Sequence, residues 1–275
     1  MVKLLYIRLC ILLFLGGCFL ISCNIDFLGF FMSSDLDDRL KTANTFVFLE
    51  HTDLNTNFGD EYSFIVITDT HISNRNAYGL ERLKDVITEN DIEFVAIVGD
   101  ITDGGRREDI EKLIEIARSF DVPTYPIIGN HDIYFNNWAN WRDLIGSTRY
   151  RVNGGGTTLF ILDSANSFFG KNQLDWLEMQ LKTTIGNRVF VFSHVNLFID
   201  RPVGVPMLTD VRERARIISI LRGHCDIMFM GHSHENLIRE TGGIIFLSIN
   251  SFKNSSSYCI VSVTKENISY RLEKL

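Results

Sequence analysis

The chain has 275 residues, of which 45% are hydrophobic and only four are proline, so it is long enough to build one large core. Its net charge is −7, and no basic stripe is present to hold a nucleic-acid backbone. These features exclude extended DNA or RNA as an expected partner. Small anionic substrates remain compatible with an acidic chain, because bound cations reverse the sign of the local field.

The N-terminus has the pattern of a bacterial secretory leader. Lys3 and Arg8 precede an uncharged run over residues 9–25, and residues 20–23 have the sequence Leu-Ile-Ser-Cys, which resembles the cleavage box of bacterial lipoproteins. We therefore expect a signal peptide over residues 1–22, lipidation of Cys23, and export to a membrane surface. A competing box ends at Cys18, and an uncleaved signal anchor is the alternative to cleavage.

The remainder divides into a predicted lipidated tether over residues 23–45 and a single domain, of the size of a catalytic domain, over residues 46–275. That domain contains two cysteines, Cys225 and Cys259, which are too few for a disulfide framework. We expect both to be buried small hydrophobic residues. A single bridge between them stays open, because a sequence does not show whether two backbones approach closely enough.

Short apolar runs alternate with helical patterns along this domain, which is typical of β-α-β units. The first half predicts three strands and two intervening helices, in the order 63–67, 80–87, 94–98, 110–117 and 125–128. The second half predicts strands over residues 157–162, 189–192, 227–230 and 244–247, helices over 173–181 and 211–221, and a hairpin over 258–263 and 268–272. This mixture favours an α/β fold in which a two-sheet β-sandwich is flanked by helices, with a doubly wound single sheet as the alternative.

Polar residues that bind metals follow five of these strands directly. The five blocks are Asp69-Thr70-His71, Gly99-Asp100-Ile101-Thr102-Asp103, Gly129-Asn130-His131-Asp132, Ser193-His194 and Gly231-His232-Ser233-His234. Open α/β sheets bind ligands at the carboxyl ends of their strands, so these loops are expected to converge. Carboxylate, amide and imidazole donors without a thiolate suit Mn²⁺, Fe or Zn²⁺. Seven candidate ligands are too many for one ion, and two ions about 3.5–4 Å apart would share them.

The five blocks, in this order, resemble the calcineurin-like metallophosphoesterase family, whose pattern is D-x-H, G-D-x-x-D, G-N-H-D/E, a lone His and G-H-x-H. The match runs from Asp69 to His234, and residues 173–178 also resemble a helix common in that family. The resemblance implies a metal-dependent hydrolase of small phosphate mono- or diesters, nucleotides included. The alternative is a catalytically silent surface lipoprotein that uses the metal-bound fold as a binding scaffold, against which the intact His131 and Asp103 argue.

The resemblance also implies a role for each residue by its position in the motifs. One metal would be held by Asp69, His71 and His234, the other by Asn130, His194 and His232, with Asp100 bridging both. A hydroxide between the metals would be the nucleophile. His131 would act as general acid for the leaving oxygen, and Asp103 would fix the His131 tautomer and favour its protonated form.

The sequence departs from one branch of the family at Gly104, where protein Ser/Thr phosphatases have the arginine of G-D-x-x-D-R-G. The missing guanidinium removes a bidentate clamp that suits a phosphomonoester dianion. A dedicated phosphoprotein phosphatase is therefore disfavoured, and cyclic nucleotides, other diesters or small monoesters are favoured. Three other arginines are candidates to replace the missing one: Arg106, Arg107 and Arg201.

Further residues near the blocks receive supporting roles. Asp132 is predicted to hold its own loop by accepting backbone N–H groups. Four aromatic residues that follow the third block either form a wall for a nucleobase or, as we favour, pack a short helix into the core: Tyr134, Phe135, Trp138 and Trp141. His51 and His224 are not placed in the site.

Overall fold

The structure is a computed structural model that describes residues 34–41, 48, 55–56, 58–184, 187–198, 208 and 210–275. The predicted signal peptide over residues 1–22, the lipidation candidates Cys23 and Cys18, and also His51 and Arg201, lie outside the described residues. Within the described ranges, no helix is both long and apolar enough to cross a membrane.

A five-stranded sheet contains the first three predicted strands at its centre and edge. Its strand order is β12-β11-β2-β3-β4, in which β2, β3 and β4 are parallel and the terminal hairpin is antiparallel. The strands are β2 (Tyr62–Ile67), β3 (Ile92–Val98), β4 (Thr124–Ile127), β11 (Ser257–Val263) and β12 (Ile268–Lys274). Each of these strands agrees with its predicted range to within two residues at either end.

A seven-stranded sheet lies opposite, in the order β1-β5-β6-β7-β8-β10-β9. Strands β6, β7, β8 and β10 are parallel to one another. The strands are β1 (Asn55–Thr56), β5 (Tyr150–Gly154), β6 (Thr157–Ile161), β7 (Arg188–Phe192), β8 (Ile227–Met230), β9 (Leu237–Thr241) and β10 (Ile244–Ser248). Three of them, β1, β5 and β9, were not predicted, because each is short or polar on one side and lies towards an edge of the sheet.

The two sheets pack face to face over an aromatic core, which confirms the predicted sandwich and excludes a single doubly wound sheet. Phe64 of β2 stacks on Phe94 of β3 at 4.5 Å and meets Phe190 and Phe229 of the other sheet edge-on at 5.1 and 5.9 Å. Aromatic pairs at such distances add to the free energy of area burial. The inner faces of both sheets therefore consist of large, fully buried side chains.

Helices cover the outer face of each sheet. On the five-stranded sheet they are α2 (Leu83–Glu89), α3 (Arg107–Ser119) and α4 (Trp138–Leu144), and on the seven-stranded sheet α5 (Lys171–Leu181) and α6 (Val211–Leu221). Each presents an apolar stripe to its sheet, as Ile110, Leu113 and Ile116 do on α3. A last short helix, α7 (Phe252–Ser255), follows β10.

Residues 34–41 of the predicted lipidated tether have regular structure and contact the domain. Residues Leu36–Lys41 form a helix, α1, whose Arg39 is fully buried and makes two 2.8 Å hydrogen bonds to the Asp163 carboxylate after β6. Arg39 also donates to Ser34 O and to Asn166 Oδ1. A sequence pattern does not reveal such a bidentate pair, because its two members lie 124 positions apart. This part of the segment is therefore packed on the domain.

The two domain cysteines are free and buried. Burial raises the pKa of the Cys259 thiol to about 12 and that of Cys225 well above its ordinary value. Both therefore behave as small apolar residues, as predicted, and the question of a bridge between them is answered by their separation into different parts of the core.

Candidate metal centre

All seven predicted ligands lie at one edge of the sandwich, because the parallel strands of both sheets end there. The first sheet contributes Asp69 and His71 after β2, Asp100 after β3 and Asn130 after β4. The second sheet contributes His194 after β7, and His232 and His234 after β8. The loops are hydrogen-bonded to one another, for example from His71 N to Asp100 O at 2.9 Å. The convergence expected from strand order is thus present in the structure.

One group of candidate ligands consists of Asp69, His71 and His234. Their donor atoms all lie within 4.8 Å of one another, and His234 Nε2 is 3.2 Å from Asp69 Oδ1. The other carboxylate oxygen, Asp69 Oδ2, accepts a hydrogen bond from His232 N at 3.0 Å. The backbone thus fixes one oxygen and leaves the second directed at the group's centre.

The second group consists of Asp100, His194 and His232, with Asn130 beside them. His194 Nε2 lies 3.2 Å from Asp100 Oδ2, 3.2 Å from His232 Nδ1 and 3.1 Å from Asn130 Oδ1. Asp100 repeats the arrangement of Asp69, since its Oδ1 accepts from His131 N at 2.8 Å and leaves Oδ2 inside the cluster.

Asp100 lies between the two groups. Its Oδ2 is 4.0 Å from His71 Nε2 on one side and 3.2 Å from His194 Nε2 on the other. The same oxygen is 3.9 Å from His131 Nε2, so that His71, Asp100 and His131 also form a close triad. A single carboxylate shared by two sets of donors is the arrangement that a pair of neighbouring cations requires.

The donor atoms of these residues suit divalent metals, and they do not satisfy one another's capacity for hydrogen bonds. Asp69 Oδ1 and both ring nitrogens of His71 are buried without a partner that satisfies hydrogen-bond geometry. Buried polar atoms are nearly always hydrogen-bonded, and exceptions in native structures call for an ion or a functional role. Carboxylate, amide and imidazole donors are the set preferred by Mn²⁺, Fe and Zn²⁺. The residues present therefore fit two such cations.

The backbone of the ligands is strained. Five of the seven have φ in the left-handed region: Asp69 at 52°, His71 at 44°, Asp100 at 45°, His232 at 68° and His234 at 53°. This conformation costs a residue with a Cβ about 1–2 kcal/mol, and such residues cluster at functional sites. The strained residues are thus concentrated in the loops that carry the candidate ligands.

The glycines of three blocks leave room for ligands of the neighbouring blocks. A Cβ on Gly99 would lie 2.2 Å from His194 Nδ1, one on Gly129 would lie 2.4 Å from Asp100 Oδ1, and one on Gly231 would lie 2.8 Å from Asp69 Oδ2. Any side chain at these positions would therefore displace a ligand, and Gly99 also has φ of 73°. This packing explains why glycine precedes the candidate ligand in these three blocks.

Several hydrogen bonds to the atoms that do not face the metal positions orient the candidate ligands. His194 Nδ1 donates to Val98 O at 3.1 Å, which leaves its Nε2 for a metal, and Tyr134 OH accepts from Asn130 Nδ2 at 2.7 Å, which directs the amide oxygen inwards. Asp132 accepts from the backbone N–H groups of Gly129, Ile101 and Thr102. The predicted supporting role of Asp132 is thus what the hydrogen bonds show.

Residues 62–236 match the family model described as calcineurin-like phosphoesterase. The chain belongs to this family. It is 24% identical over 189 residues to a probable cyclic nucleotide phosphodiesterase of Fibrobacter succinogenes, covering 65% of this chain and 70% of that one. It is 25% identical over 211 residues to a 3',5'-cyclic-nucleotide phosphodiesterase of Nostoc sp., covering 71% and 76%. The fold is similar to that of a dimetal phosphatase from Danio rerio, with a TM-score of 0.59, 16% identity, and 77% of this chain and 95% of that chain covered.

The chain is therefore a metallophosphoesterase, a hydrolase of phosphoesters, and its clustered side chains fit two divalent metal ions. Charges within this metallophosphoesterase site are balanced between carboxylates and imidazoles. Burial alone would raise the pKa of Asp100, but His194 and His131 hold it well below its ordinary value. Burial alone would lower the pKa of His194, but the charge of Asp100 raises it to about 9. Buried carboxylate and imidazole thus each favour the charged form of the other within the site.

His131 lies at the open side of the metallophosphoesterase site, with 32% of its side chain exposed. Its Nδ1 donates to the backbone oxygen of Asp103 at 2.9 Å. Asp103 therefore contacts the His131 ring through its backbone carbonyl and not through its carboxylate, and its effect on the His131 tautomer stays a prediction. That carboxylate instead lies 3.2 Å from His71 Nδ1 and accepts a hydrogen bond from Lys253 at 2.9 Å.

Two residues of the metallophosphoesterase site were missed by the sequence analysis. Lys253 pairs with Asp103, and Asn254 Nδ2 lies 3.2 Å from His234 Nδ1. Both belong to α7, which follows the predicted strand over residues 244–247. Lys253 lies five residues beyond the end of β10, so the rule that located the five blocks, polar residues directly after an apolar strand, does not reach it. We call residues 250–254 the sixth block.

The aromatic residues after the third block have separate surroundings. Trp141 is fully buried in the core and Tyr134 is buried beside His131, with ring centroids 4.5 Å apart. Phe135, in contrast, is 65% exposed, and a Cβ on Gly104 would lie 3.8 Å from its ring. The prediction of core packing is thus confirmed for Trp141. Of the four aromatic residues, Phe135 is the one exposed at the edge of the site.

The described candidates for the missing arginine do not replace it. Arg107 pairs with Glu111 at 3.0 Å on the exposed face of α3, and Arg106 is exposed at the start of the same helix. Among the described residues, the cation whose contacts lead into the site is Lys253.

Proposed function

We propose that this metallophosphoesterase hydrolyses small phosphodiesters, with cyclic nucleotides as the first class to test. The observation that carries the proposal is the pair of candidate ligand groups on either side of Asp100 Oδ2. In addition, neither of the two candidate arginines in the described part of the chain, Arg106 and Arg107, reaches the site. A diester carries one negative charge where a monoester carries two, so it depends less on a guanidinium fork. The names of the two bacterial relatives support the same class.

We assign the ligands as their grouping indicates. One ion takes Asp69, His71 and His234, the other takes Asn130, His194 and His232, and Asp100 is shared. When bound, two such cations polarise the phosphoryl group and neutralise its charge. The protein contributes the orientation, since His232 N donates a hydrogen bond to one oxygen of Asp69 and His131 N donates one to an oxygen of Asp100.

His131 is the proposed general acid for the leaving oxygen. Because its Nδ1–H is held by Asp103 O at 2.9 Å, its Nε2 is the nitrogen that carries or releases the transferable proton. That nitrogen lies on the open side of the site, 3.9 Å from Asp100 Oδ2. A proton donor positioned in this way contributes about 10²–10⁴-fold to a rate.

Phe135 is the proposed stacking surface for a nucleobase. It is 65% exposed, it neighbours Gly104 directly after the second block, and Tyr134 connects it to His131 through ring contacts. Stacking of a base on an aromatic side chain contributes about 1–3 kcal/mol. Phe135→Ala is therefore expected to raise KM for a cyclic nucleotide about tenfold, whereas Met179→Ala, at an equally exposed apolar residue of α5, leaves KM unchanged.

We further propose that the enzyme is exported and held at a membrane through lipid on Cys23. The support is the basic and apolar leader with its Leu-Ile-Ser-Cys box. Mass spectrometry of the N-terminal peptide distinguishes a lipidated Cys23 from a lipidated Cys18 or an intact leader. Cys23→Ser is expected to move the protein from the membrane to the soluble fraction, and an unchanged distribution contradicts the assignment.

The proposed substrate class is tested with protein reloaded separately with Mn²⁺, Fe²⁺ and Zn²⁺. The substrates are 3',5'-cyclic AMP, bis(p-nitrophenyl) phosphate and p-nitrophenyl phosphate. We expect kcat/KM to be at least about tenfold higher for the diesters, which corresponds to about 1.4 kcal/mol of transition-state discrimination. A preference for the monoester would overturn the diester assignment. No measurable hydrolysis of any of the three substrates would favour a binding role for the metal-bound fold.

A further inference from the structure

Lys253 is attached to the metal centre by its backbone as well as by its side chain. At the start of α7, Phe252 N donates to Thr68 O at 2.9 Å and Lys253 N donates to Asp69 O at 3.2 Å. Ser251 Oγ donates to Asp69 O at 3.0 Å. The helix is thereby fixed to the loop that carries Asp69 and His71, so the position of Lys253 relative to those ligands is set by the fold.

The side chain of Lys253 extends from there to the carboxylate of Asp103. Its Nζ lies 2.9 Å from Asp103 Oδ1, and it passes the ring of Tyr78 at 5.5 Å from the centroid. The same carboxylate oxygen lies 3.2 Å from His71 Nδ1. One oxygen atom therefore has an ammonium group on one side and the imidazole of a metal ligand on the other.

His71 lacks the backbone hydrogen bond that orients His194. Nδ1 of His194 has a backbone carbonyl as partner, whereas neither ring nitrogen of His71 has a partner that satisfies hydrogen-bond geometry. Metal-binding histidines usually donate their second ring N–H to a carboxylate or carbonyl, which fixes the tautomer and the ring orientation. The acceptor within reach of His71 Nδ1 is Asp103, whose side chain is 42% exposed and can rotate into solvent unless it is held.

We propose that Lys253 is a positioning residue of the Asp69–His71–His234 metal site, holding the Asp103 carboxylate beside His71 Nδ1 so that His71 presents Nε2 to the metal. This inference rests on the proposed function in so far as it concerns the same pair of cations. Lys253 lies outside the family's motifs. Its contact with Asp103, and that of Asp103 with His71, connect the sixth block to the second block and the first.

Coulomb's law alone makes the opposite prediction for Lys253, and this makes the inference testable. Two like charges near each other repel, so loss of the ammonium group without any positioning effect would strengthen the binding of a divalent cation. Loss of a contact that orients a ligand instead weakens metal binding, by about 10–100-fold for partners of this kind. The direction of the change in affinity therefore distinguishes the two effects.

The experiment is a calorimetric titration of Mn²⁺ into metal-free full-length protein. Lys253→Met is expected to weaken binding at one of the two sites about 10–100-fold, and Lys253→Arg, which keeps the charge, is expected to restore most of it. Asp103→Asn should weaken the same site, and the double variant should be no weaker than the single ones, because both changes break one chain of contacts. Lys84→Met is the matched control, since Lys84 pairs with Asp121 at 3.1 Å on the exposed surface.

Unchanged or tighter Mn²⁺ binding by Lys253→Met would overturn the inference. So would a higher KM at saturating Mn²⁺ with unchanged metal affinity, since that result would place Lys253 on the substrate. Circular dichroism of each variant shows that the fold is retained. Wild-type protein that binds two Mn²⁺ and hydrolyses no diester would contradict the proposed function alone, because the readout for Lys253 is metal binding.

Discussion

Two groups of buried charge in this protein have opposite character. In the first, Arg39 and Asp163 are both fully buried, form two 2.8 Å hydrogen bonds and have further partners in Ser34 and Asn166. In the second, Asp69 and Asp100 are equally buried, yet an oxygen of Asp69 and both nitrogens of His71 lack hydrogen-bond partners.

The backbone shows the same contrast. Asp69, His71 and Asp100 have φ between 44° and 52°, whereas neither Arg39 nor Asp163 is among the residues with positive φ. A buried charge whose every polar atom is paired stabilises the packing of its own segment. A buried charge left incompletely paired on a strained backbone is prepared for a ligand. Burial alone therefore does not distinguish Asp163 from Asp69, but hydrogen-bond satisfaction and backbone conformation do.

Asp100→Asn should produce the largest effect and act only on the metal centre. The amide keeps the shape of the side chain and tolerates φ of 45°, but it removes the shared negative charge between the two ligand groups. We expect phosphodiester turnover to fall by more than about 10³-fold, with little change in the free energy of unfolding. Assays at saturating Mn²⁺ and urea denaturation measure the two quantities. Retained activity would exclude Asp100 as the shared ligand.

Arg39→Ala should give the converse result. It leaves Asp163 buried without its cation, so the free energy of unfolding is expected to fall by about 3–5 kcal/mol, while kcat of the folded protein stays near that of the wild type. Arg39→Leu combined with Asp163→Leu should recover much of the lost stability, because the pair is replaced by apolar groups. A loss below about 1 kcal/mol would show that α1 is not held by this pair.

Gly99→Ala tests the packing between blocks. The added Cβ would lie 2.2 Å from His194 Nδ1 at a position with φ of 73°, so we expect a loss of stability of about 1–3 kcal/mol together with weaker Mn²⁺ binding. Gly156→Ala is the matched control, because its Cβ would meet nothing within 4 Å. Equal behaviour of the two variants in thermal unfolding and metal titration would contradict the close approach of Gly99 to His194.

Tyr134→Phe should have the smallest effect of the four. It removes the hydroxyl that accepts from Asn130 Nδ2 at 2.7 Å, and with it the orientation of the amide oxygen towards His194. Metal affinity at the second group is expected to fall about tenfold, at the lower end of the range for such supporting contacts. Tyr258→Phe, which loses a hydrogen bond to Glu273 in the terminal hairpin, is the control and should bind Mn²⁺ like the wild type.

The sequence by itself predicted the α/β class and placed the seven candidate ligands at one edge, whereas the choice of two sheets over one was made by the structure. Apolar runs of strand length and the polar residues that follow them are local properties, and parallel strands bring their carboxyl ends to one edge whatever the details of packing. Only the tertiary structure decided the partners of those ligands: Asp103 beside His71, Lys253 beside Asp103, and Arg39 beside Asp163. Each pair joins segments far apart in the chain. Which of several chemically equivalent side chains become partners there depends on side-chain rotamers and strand register. A pattern read along one segment contains no information about that choice.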